Sequence, residues 1–578
     1  MQLNHQQQQA VNSSGHCCVA AVPGSGKTRV LAVRAAQLLC GSYSSLAAVT
    51  FTRDAANELK ERIEAQCDKP PGKRLYVGTF HSLALRQSRG FKKRLRILSG
   101  KERYVYLRRA FDMTPEISQS DFDLVVEQVD AIKASMDPPP GIDKPLGKMF
   151  KAYQDLLERA ESQDFSDMLR RAVFAMKSGE ISPLPVDFML VDEAQDMDEV
   201  QYEWMQCHVA NGTRVTIVGD DDQSIFGWRS AMGYRGMTDF VKKNKAEHLV
   251  LSVNYRSSAE IINAATRLIT HNKTRVIKSI HPHVSEPGTI EVIKVTDRKD
   301  EAHNVLRVIR QNPDAGWAVL ARTNRLLGWV ECALRAAKIP CVRVGGKSFW
   351  EEPEPSVFLG LLRSLSRNDA IGAIQALQWA GVSSRIINMI HDRHPKDNAS
   401  LIKVLTEIRK SLSVEDRPTK KVLSGFIARN KEWRQAVASS RIRLVVSGVA
   451  RWCESHQGKQ VGGDKKSIFG WCEDIFNKLS GSIDQRIHFL TQRSKDTQDS
   501  KAVKLMTLHA SKGLEFPNVW ILAVEDGVLP LKNSDNEEER RLFYVGITRA
   551  QRRLIISHSI TDVQPSMFLE EAGIVSGV

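Results

Sequence analysis

The chain has 578 residues, of which 42% are hydrophobic and 26% are charged, as is ordinary for a globular protein. No apolar run is long enough to cross a bilayer and no signal peptide precedes the first motif, so we expect a cytoplasmic protein without a membrane partner. Lys and Arg outnumber Asp and Glu by 82 to 67, and this net charge of +15 favours a polyanionic partner such as nucleic acid over a merely solvated basic surface.

Short β-like runs alternate with helix-like segments along the chain, a pattern that predicts parallel α/β architecture. The alternation breaks at about Ile371, where the sequence becomes helix-rich and basic, and returns near residue 502. The predicted strands are HCCVAAV (16–22), LAAVTFT (46–52), DFMLVDEA (187–194), RVTIVGD (214–220), HLVLSVN (248–254), TIEVIKVTD (289–297), WAVLART (317–323), CVRVGG (341–346), AVKLMTLHAS (502–511) and NVWILAVED (518–526).

The motif Ala21 to Thr28, AVPGSGKT, follows the first predicted strand and opens a predicted helix. Backbone N–H groups of such a loop cradle phosphates, a lysine (here Lys27) reaches the β- and γ-phosphate oxygens, and a hydroxyl (here Thr28) binds Mg²⁺. Ala21 stands where the usual pattern has glycine, and Gly24 and Gly26 supply the backbone freedom. A chance turn before a helix is the much weaker alternative in this context.

A pair of carboxylates, Asp192 and Glu193, ends the third predicted strand. Ligands of parallel α/β folds bind at this edge of the sheet. We therefore expect Asp192 to hold Mg²⁺ and Glu193 to orient and deprotonate the attacking water. Cleavage of a γ-phosphate also needs positive charge on its oxygens, and Arg256 and Arg549 are the candidates for this role.

The run VGDDDQSIFGWRSA (218–231) combines carboxylates with aromatic rings. The carboxylates suit a metal–phosphate site, whereas Phe226 and Trp228 suit stacking on bases. We interpret the run as a link between a nucleotide site and a nucleic-acid site. A core tryptophan beside a tight turn is the alternative reading of Trp228.

These motifs, in this order, resemble the UvrD/PcrA/Rep family of superfamily one DNA helicases. Further segments carry the likeness: LNHQQQQAV (3–11), TFTRDAANELKERI (50–63), VGTFHSLALR (77–86), SQDFSDML (162–169), LSVNYRSS (251–258), GGKSFWEEPE (345–354), LMTLHASKGLEF (505–516) and EEERRLFYVGITRA (537–550). The chain departs from the family at Arg53-Asp54, where Asn-Lys is common, and at Phe226, where tyrosine is usual.

The resemblance implies a role for each matching residue. The implied catalytic residues are Lys27, Asp192, Glu193, Gln223 as the γ-phosphate sensor, and Arg256 and Arg549 as arginine fingers. The implied contacts to ATP are Gln7, Ala21, Gly24, Ser25, Gly26, Lys27, Thr28, Arg29, Tyr255 and Glu515, with Thr28 and Asp192 on Mg²⁺. The implied DNA contacts are Phe51, Thr79, Phe80, His81, Phe165, Phe226, Trp228, Arg229, His509 and Lys512.

The resemblance also implies two RecA-like domains, each interrupted by a mainly helical insertion. The expected ranges are 1–89 and 161–247 for the first domain, 90–160 for its insertion, 248–370 and 501–578 for the second domain, and 371–500 for the basic insertion.

The expected activity is that of an ATP-dependent 3′→5′ DNA helicase acting on single strands and single-strand/duplex junctions in repair, replication or recombination. Two alternatives stay open: a translocase that strips proteins with little unwinding, and a helicase-like ATPase subunit of a multiprotein system such as an antiphage nuclease.

Overall fold

The structure is a computed structural model that describes residues 2–40, 44–91, 93–117, 120–346, 348–393, 395, 397–413, 416–456, 468–491, 501–561 and 563–574. It divides into two compact units. The first unit comprises Met1–Ile290, Leu529–Leu554 and Ser566–Val578, and the second comprises Glu291–Val528 and Ile555–Pro565.

The strands, in chain order, are β1 (Cys17–Ala21), β2 (Leu46–Thr50), β3 (Leu75–Thr79), β4 (Arg96–Ile97), β5 (Ser162–Gln163), β6 (Phe188–Val191), β7 (Arg214–Gly219), β8 (Glu247–Leu251), β9 (Val253–Asn254), β10 (His281–Pro282), β11 (Thr289–Val295), β12 (Trp317–Ala321), β13 (Cys341–Arg343), β14 (Val503–Thr507), β15 (Phe516–Ile521) and β16 (Ala550–Ser559).

The α-helices, in chain order, are α1 (His5–Asn12), α2 (Lys27–Leu39), α3 (Arg53–Glu64), α4 (Phe80–Gln87), α5 (Gly100–Asp112), α6 (Phe122–Ala134), α7 (Pro145–Arg159), α8 (Phe165–Lys177), α9 (Glu199–Ala210), α10 (Gly233–Asn244), α11 (Ala259–Ile269), α12 (Arg298–Gln311), α13 (Asn324–Ala336), α14 (Pro353–Arg367), α15 (Ile371–Trp379), α16 (Ser384–Asp392), α17 (Asn398–Ser411), α18 (Arg417–Ala438), α19 (Ile442–Ser455), α20 (Ile468–Lys478), α21 (Ile483–Thr491), α22 (Asn536–Ile547) and α23 (Met567–Glu571).

The first unit is built on a six-stranded sheet with the strand order β3-β2-β6-β7-β1-β8. Each neighbouring pair of these strands is parallel. Every residue of β1 (CCVAA) and β2 (LAAVT) is buried, as expected of strands whose two faces are both covered. Because the strands run the same way, the loops after β1, β6 and β7 leave the sheet at the same edge.

The second unit contains the sheet β11-β16-β15-β12-β14-β13, in which β12 pairs in parallel with β14 and β15, and β13 pairs in parallel with β14. The predicted α/β class with two parallel sheets is thereby confirmed. The prediction for one strand is wrong: the sequence pattern assigns HLVLSVN to the second α/β domain, whereas β8 lies in the first sheet beside β1.

Helical segments interrupt both sheets, as predicted. Between β3 and β6 the chain forms α4–α8, and α5–α7 pack around a small core of their own that includes Leu107, Phe111, Val129 and Tyr153. Between β13 and β14 the chain forms α14–α21. No helix in the part of the chain that the structure describes is long and apolar enough to cross a bilayer.

A buried histidine joins helix α9 to the chain that leads into β6. His208 is fully buried, its Nε2 accepts a hydrogen bond from the Leu184 amide at 3.0 Å, and its Nδ1 lies 2.8 Å from the Trp204 carbonyl oxygen. This arrangement requires the neutral imidazole, because Nε2 must carry a lone pair. Burial lowers the pKa of His208 to about 4.

We expect this histidine to make stability depend on pH. An unfolded imidazole titrates near ~6.5, so the unfolded chain binds more protons than the folded chain below that pH. The free energy of unfolding should therefore fall by up to about 3 kcal/mol as the pH drops from about 6.5 to about 4. Urea unfolding should show this slope in the wild type and a flatter profile in His208→Gln. The exposed His248→Gln serves as the control, and parallel profiles for His208→Gln and the wild type would contradict the assignment.

Candidate functional site

The loop between β1 and α2 has the backbone that a phosphate-binding loop needs. Gly24 and Gly26 have φ values of +64° and +79°, in the left-handed region that glycine adopts without strain. Gly26 is the N-cap of α2, so the free N–H groups of the first helical turn begin at Lys27. The predicted motif therefore has its expected strand–loop–helix setting, with Thr28 and Arg29 in the first turn of α2 and Ala21 as the last residue of β1.

A second segment, Asn254 to Arg256, packs directly on this loop. Asn254 Nδ2 donates to the Pro23 carbonyl at 2.6 Å, and the Tyr255 amide donates to the Gly24 carbonyl at 3.0 Å. A Cβ atom on Gly24 would lie only 2.6 Å from Cβ of Arg256. Glycine at position 24 is thus required for close packing as well as for its backbone conformation.

The N-terminal segment also packs on the loop and contacts the segment that contains Tyr255. Gln7 Nε2 donates to the Ser25 carbonyl at 3.0 Å, while Gln7 Oε1 accepts from the Asn4 amide at 3.0 Å. Asn4 Nδ2 also donates to the Tyr255 hydroxyl at 2.8 Å. Gln7 and Tyr255, which the family resemblance implies to contact ATP at its adenine base, therefore lie on the same side of the loop, although the Gln7 amide here makes protein contacts. The ring of Tyr255 lies against that of His283, with centroids 4.7 Å apart.

The predicted carboxylates sit opposite Lys27. The Lys27 Nζ atom is 3.8 Å from Glu193 Oε2, which also accepts a hydrogen bond from Gln195 Nε2 at 2.6 Å. Glu193 has a φ of +51°, a strained value for a non-glycine residue of the kind that occurs at functional sites. Burial and the neighbouring Glu193 charge raise the pKa of Asp192 to about 7. A cation placed beside these two carboxylates would offset that repulsion.

Gln223 is held between an acid and an arginine. Its Nε2 donates to Asp220 Oδ2 at 2.6 Å, and its Oε1 accepts from Arg549 Nη2 at 2.9 Å. The two contacts fix the orientation of the amide, because only the nitrogen can donate and only the oxygen can accept. The predicted γ-phosphate sensor and the predicted second arginine finger are therefore in direct contact within the first unit.

Arg549 and Arg256 approach the same turn at the end of α22. Arg549 Nε donates to the Val545 carbonyl at 2.9 Å, and Arg256 Nη1 lies 3.4 Å from the Thr548 carbonyl oxygen. Burial, and then the like charge of Arg256, lower the pKa of Arg549 to about 9, so its guanidinium remains protonated at neutral pH. An anion near both arginines would relieve this electrostatic cost.

The three aspartates that precede Gln223 form a buried charge cluster with two cations. Lys278 Nζ is 2.8 Å from Asp220 Oδ1 and 3.2 Å from Asp222 Oδ2, and it also contacts Asp221. Arg275 donates to both oxygens of Asp222, at 2.8 and 2.6 Å. The three carboxylates lie close enough together to hold a metal ion. In this structure, however, Lys278 and Arg275 neutralise their negative charge. This cluster ties the segment 275–278 to the loop after β7.

The aromatic half of the same run lies at the surface. The rings of Phe226 and Trp228 meet edge to face with centroids 6.5 Å apart, and the Arg229 guanidinium lies 4.4 Å from the Trp228 ring. Trp228 is 55% exposed, which argues against the alternative reading of a core tryptophan. The Gly227 amide donates to Glu538 Oε1 at 3.2 Å and so fixes the turn between the two rings.

Two other residues that are predicted to contact DNA, Phe51 and Phe80, differ in their exposure to solvent. Phe51 is half-buried and packs edge to face on Phe80, with centroids 5.6 Å apart. Phe80 is only 1% exposed and also packs on Trp204. The direct DNA contact predicted for Phe80 is therefore corrected: its ring belongs to the core of the first unit and supports Phe51 from beneath.

The remaining predicted contacts of the first unit surround the start of α4. The Thr79 hydroxyl caps this helix by accepting from the Ser82 amide at 3.2 Å. His81 meets Phe165 edge to face at 6.2 Å, and Phe165 is 47% exposed. Burial lowers the pKa of His81, which favours the neutral ring. His509, Lys512 and Glu515 belong to the second unit, between β14 and β15.

The sequence analysis missed several residues that build this site. Asn254 hydrogen-bonds to the phosphate loop, and Asn4 hydrogen-bonds to Gln7 and Tyr255, which contact that loop. Arg275 and Lys278 neutralise the aspartates. Lys278 lies in the segment THNKTRVIKSI, where nothing in the local pattern separates it from its basic neighbours. Only the complete burial of its side chain distinguishes it, and burial is a property of the folded chain.

Comparison with known proteins identifies the family. Residues 3–235 match the model of the UvrD/REP helicase N-terminal domain, and residues 249–413 and 472–561 match that of the UvrD-like helicase C-terminal domain. The chain therefore belongs to the UvrD-like helicase family.

Similar proteins include DNA helicase II of Escherichia coli, which is 30% identical over 97% of this chain and 84% of its own length. The ATP-dependent DNA helicase PcrA of Leuconostoc citreum is 28% identical over 98% of this chain and 84% of its own. The ATP-dependent DNA helicase Rep of Escherichia coli is 27% identical over 99% of this chain and 94% of its own. The family expected from the motifs is confirmed.

We expect removal of the buried lysine to destabilise the first unit strongly. Lys278→Met leaves buried carboxylates with only Arg275 to neutralise them, and breaking such a buried ion pair costs about 3–5 kcal/mol. Urea unfolding should show this loss, whereas the exposed Lys273→Met should stay within about 0.5 kcal/mol of the wild type. Equal stability of the two variants would contradict the structural role assigned to Lys278.

Proposed function

We propose that the protein is a DNA-stimulated ATPase that translocates 3′→5′ along single-stranded DNA and unwinds duplex ahead of it. The observation that carries the proposal is that Gln223, which contacts Arg549, lies in the same short loop as half-buried Phe226 and exposed Trp228, only three residues before the first ring. Membership of the UvrD-like helicase family and the helicase activities for which the relatives are named support it. The direction, and a role in repair, replication or recombination, rest on the family resemblance.

The nucleotide binds with its phosphates on the loop Gly24 to Thr28 and its base near Gln7 and Tyr255. Lys27 exchanges its contact with Glu193 for the β- and γ-phosphate oxygens. The residues present suit Mg²⁺, which Thr28 and Asp192 would hold. Burial, and then the neighbouring Glu193 charge, raise the pKa of Asp192, and a cation would offset both effects. The ion would neutralise charge on the phosphates.

Glu193 then acts as the base toward the attacking water, and the arginines act on the phosphate. When Lys27 turns to the phosphate, the Glu193 carboxylate becomes available to orient water and accept its proton. Arg256 and Arg549 supply positive charge to the γ-phosphate oxygens. The Gln223 amide oxygen, now bound to Arg549, is positioned to respond when Arg549 turns toward the phosphate.

In this proposal, the run from Asp220 to Arg229 couples the state of the bound nucleotide to the binding of DNA. Because Gln223 and the aromatic pair share one short loop anchored by buried charges, a shift at Gln223 moves the turn that carries Trp228. Stacking on aromatic rings contributes about 1–3 kcal/mol per base and accepts any sequence. Phe51, Thr79, His81, Phe165 and Arg229 would extend this surface. Within the second unit, the family resemblance assigns DNA contacts to His509 and Lys512 and a nucleotide contact to Glu515.

The four-part domain organisation is part of this proposal. The ranges that the resemblance implies are 1–89 with 161–247, and 248–370 with 501–578, for the two RecA-like domains, and 90–160 and 371–500 for the insertions. Strand β8 is the exception, because it pairs with β1 in the first sheet. The division of the structure into two compact units differs from these ranges, because it places Arg256 and Arg549 in the same unit as the phosphate loop. Residues 457–467 and 492–500 of the basic insertion lie outside the described residues.

We expect ATP turnover to depend on single-stranded DNA and on the phosphate-binding residues. Lys27→Ala and Arg549→Ala should each abolish DNA-stimulated turnover, because each removes positive charge from the transferring phosphate. The exposed Lys151→Ala is the control. Phosphate release should be measured without nucleic acid and with single-stranded DNA, duplex DNA or RNA. Equal turnover with and without polynucleotide in the wild type would overturn the proposed function.

Removal of the exposed Trp228 ring should impair the binding of single-stranded DNA more than the hydrolysis of ATP. Trp228→Ala should weaken the affinity for single strands roughly tenfold and reduce stimulation, since one stacking contact contributes about 1–3 kcal/mol. Turnover at saturating DNA should be less affected than in Arg549→Ala. The conservative Trp228→Phe should restore most of the affinity. Full affinity and stimulation in Trp228→Ala would show that the ring does not stack on the strand.

A second candidate function is that of a helicase-like subunit of a multiprotein system, such as a nuclease complex. It is favoured by residues 414–471, part of the basic helical segment, which lie between the two stretches matched by the C-terminal family model. A protein-stripping translocase is the related case. Strand displacement and displacement of a DNA-bound protein should be compared for the purified chain alone and with a co-purifying nuclease. Efficient unwinding by the chain alone would favour the helicase.

A further inference from the structure

A cavity of about 480 Å³ lies in the first unit, against the second half of α4 and the strand pair β4–β5. None of the residues that line this cavity is among the predicted contacts to ATP or DNA. Its volume falls within the range of about 300–1,000 Å³ that is usual for small-molecule sites. It is therefore large enough to receive one nucleotide unit of a DNA strand. Its position relative to the proposed DNA contacts indicates which unit of the strand this is.

Two residues that line the cavity lie close in sequence to residues that are proposed to contact single-stranded DNA. Ser82, on one wall, follows His81 in α4, and Gln163, on another, lies two residues before Phe165. His81 and Phe165 touch each other edge to face. A strand that passes these two rings therefore reaches the mouth of the cavity with its next unit.

The lining of the cavity is positively charged. Arg86, Arg89 and Arg94 contribute exposed guanidinium groups, and none of the described residues that line the cavity is acidic. The Arg86 guanidinium lies 5.9 Å from the ring of Tyr76, and Arg94 Nη2 lies 3.4 Å from the Arg89 carbonyl oxygen. Lys92, in the same basic run, is outside the described residues. Three guanidinium groups around one opening suit phosphate oxygens, which they bind through paired N–H donors.

The interior of the cavity offers a polar group that no protein atom satisfies. Gln163 is only 4% exposed, and its Oε1 has no hydrogen-bond partner among the described residues. A buried acceptor of this kind costs about 1–3 kcal/mol unless a donor reaches it. Exocyclic amino groups of adenine, cytosine and guanine are suitable donors. Phe91, which is 5% exposed, adds an apolar wall.

We infer that this cavity is a nucleotide subsite for the single strand, one position beyond His81 and Phe165. The arginines bind the phosphate, and Gln163 accepts a hydrogen bond from the edge of the base. The inference rests on the proposed function, because it extends the strand path of the same enzyme.

The test of the phosphate contact is the salt dependence of DNA binding. Arg86→Gln/Arg89→Gln should weaken binding of a fluorescent oligonucleotide roughly tenfold and reduce the slope of log affinity against log salt by about 0.7 for each phosphate that the variant no longer neutralises. Lys151→Gln/Lys177→Gln removes the same charge from exposed positions on α7 and α8 and should leave the slope almost unchanged. Equal slopes in the two double variants would overturn the inference.

The test of the base contact uses oligonucleotides extended by one nucleotide at either end. In the wild type, extension at one end should increase affinity, and an abasic unit there should give a smaller gain. Gln163→Leu should bind the abasic and the normal unit equally well. A wild type that gains nothing from either end would overturn the subsite.

The two proposals fail in distinguishable ways. If the wild type neither binds single strands nor hydrolyses ATP in response to them, the proposed function is wrong. If the wild type does both, and the arginine variants match their control, only the cavity assignment is wrong. ATP turnover without DNA, compared among all variants, reports whether each one is folded.

Discussion

The site depends on the fixed orientation of one amide, that of Gln223, between Asp220 and Arg549. An amide offers a donor on one side and an acceptor on the other, so its two neighbours decide which way it faces. Lys278 holds this acceptor in place, because its Nζ lies 2.8 Å from Asp220 Oδ1. A buried lysine that has no direct place in the proposed chemistry therefore determines where Arg549 rests.

The same loop connects two environments of very different character. Its first half is buried and ionic, where the low dielectric makes each charge contact strong and each unmatched charge costly. Its second half carries two aromatic rings, of which Phe226 is half-buried and Trp228 is exposed. Such a loop can respond to a single phosphate at one end and present flat surfaces to a polymer at the other. This contrast is the physical basis of the proposed link between ATP and movement along a strand.

Close packing around the phosphate loop sets a second constraint. Asn254 and Tyr255 hydrogen-bond to loop carbonyls, and Gln7 holds the carbonyl of Ser25. Helix α2 begins at Lys27, directly after this loop, and a helix N-terminus in this setting is where phosphates bind. Position 24 accepts only glycine, because both its backbone angle and its distance from Arg256 exclude a side chain. The nucleotide site is thus assembled from segments that are remote in sequence.

The sequence alone determined the phosphate loop, the acidic strand end and the order of the motifs, because these depend on local spacing and on runs of apolar residues. It also indicated the two α/β sheets. It placed β8 in the wrong sheet and gave Phe80 a surface role, because neither strand partners nor burial can be read from neighbours in the chain. Lys278, Arg275 and Asn4 were invisible for the same reason. Their roles come from partners up to 251 positions away, and only the tertiary structure brings such residues together.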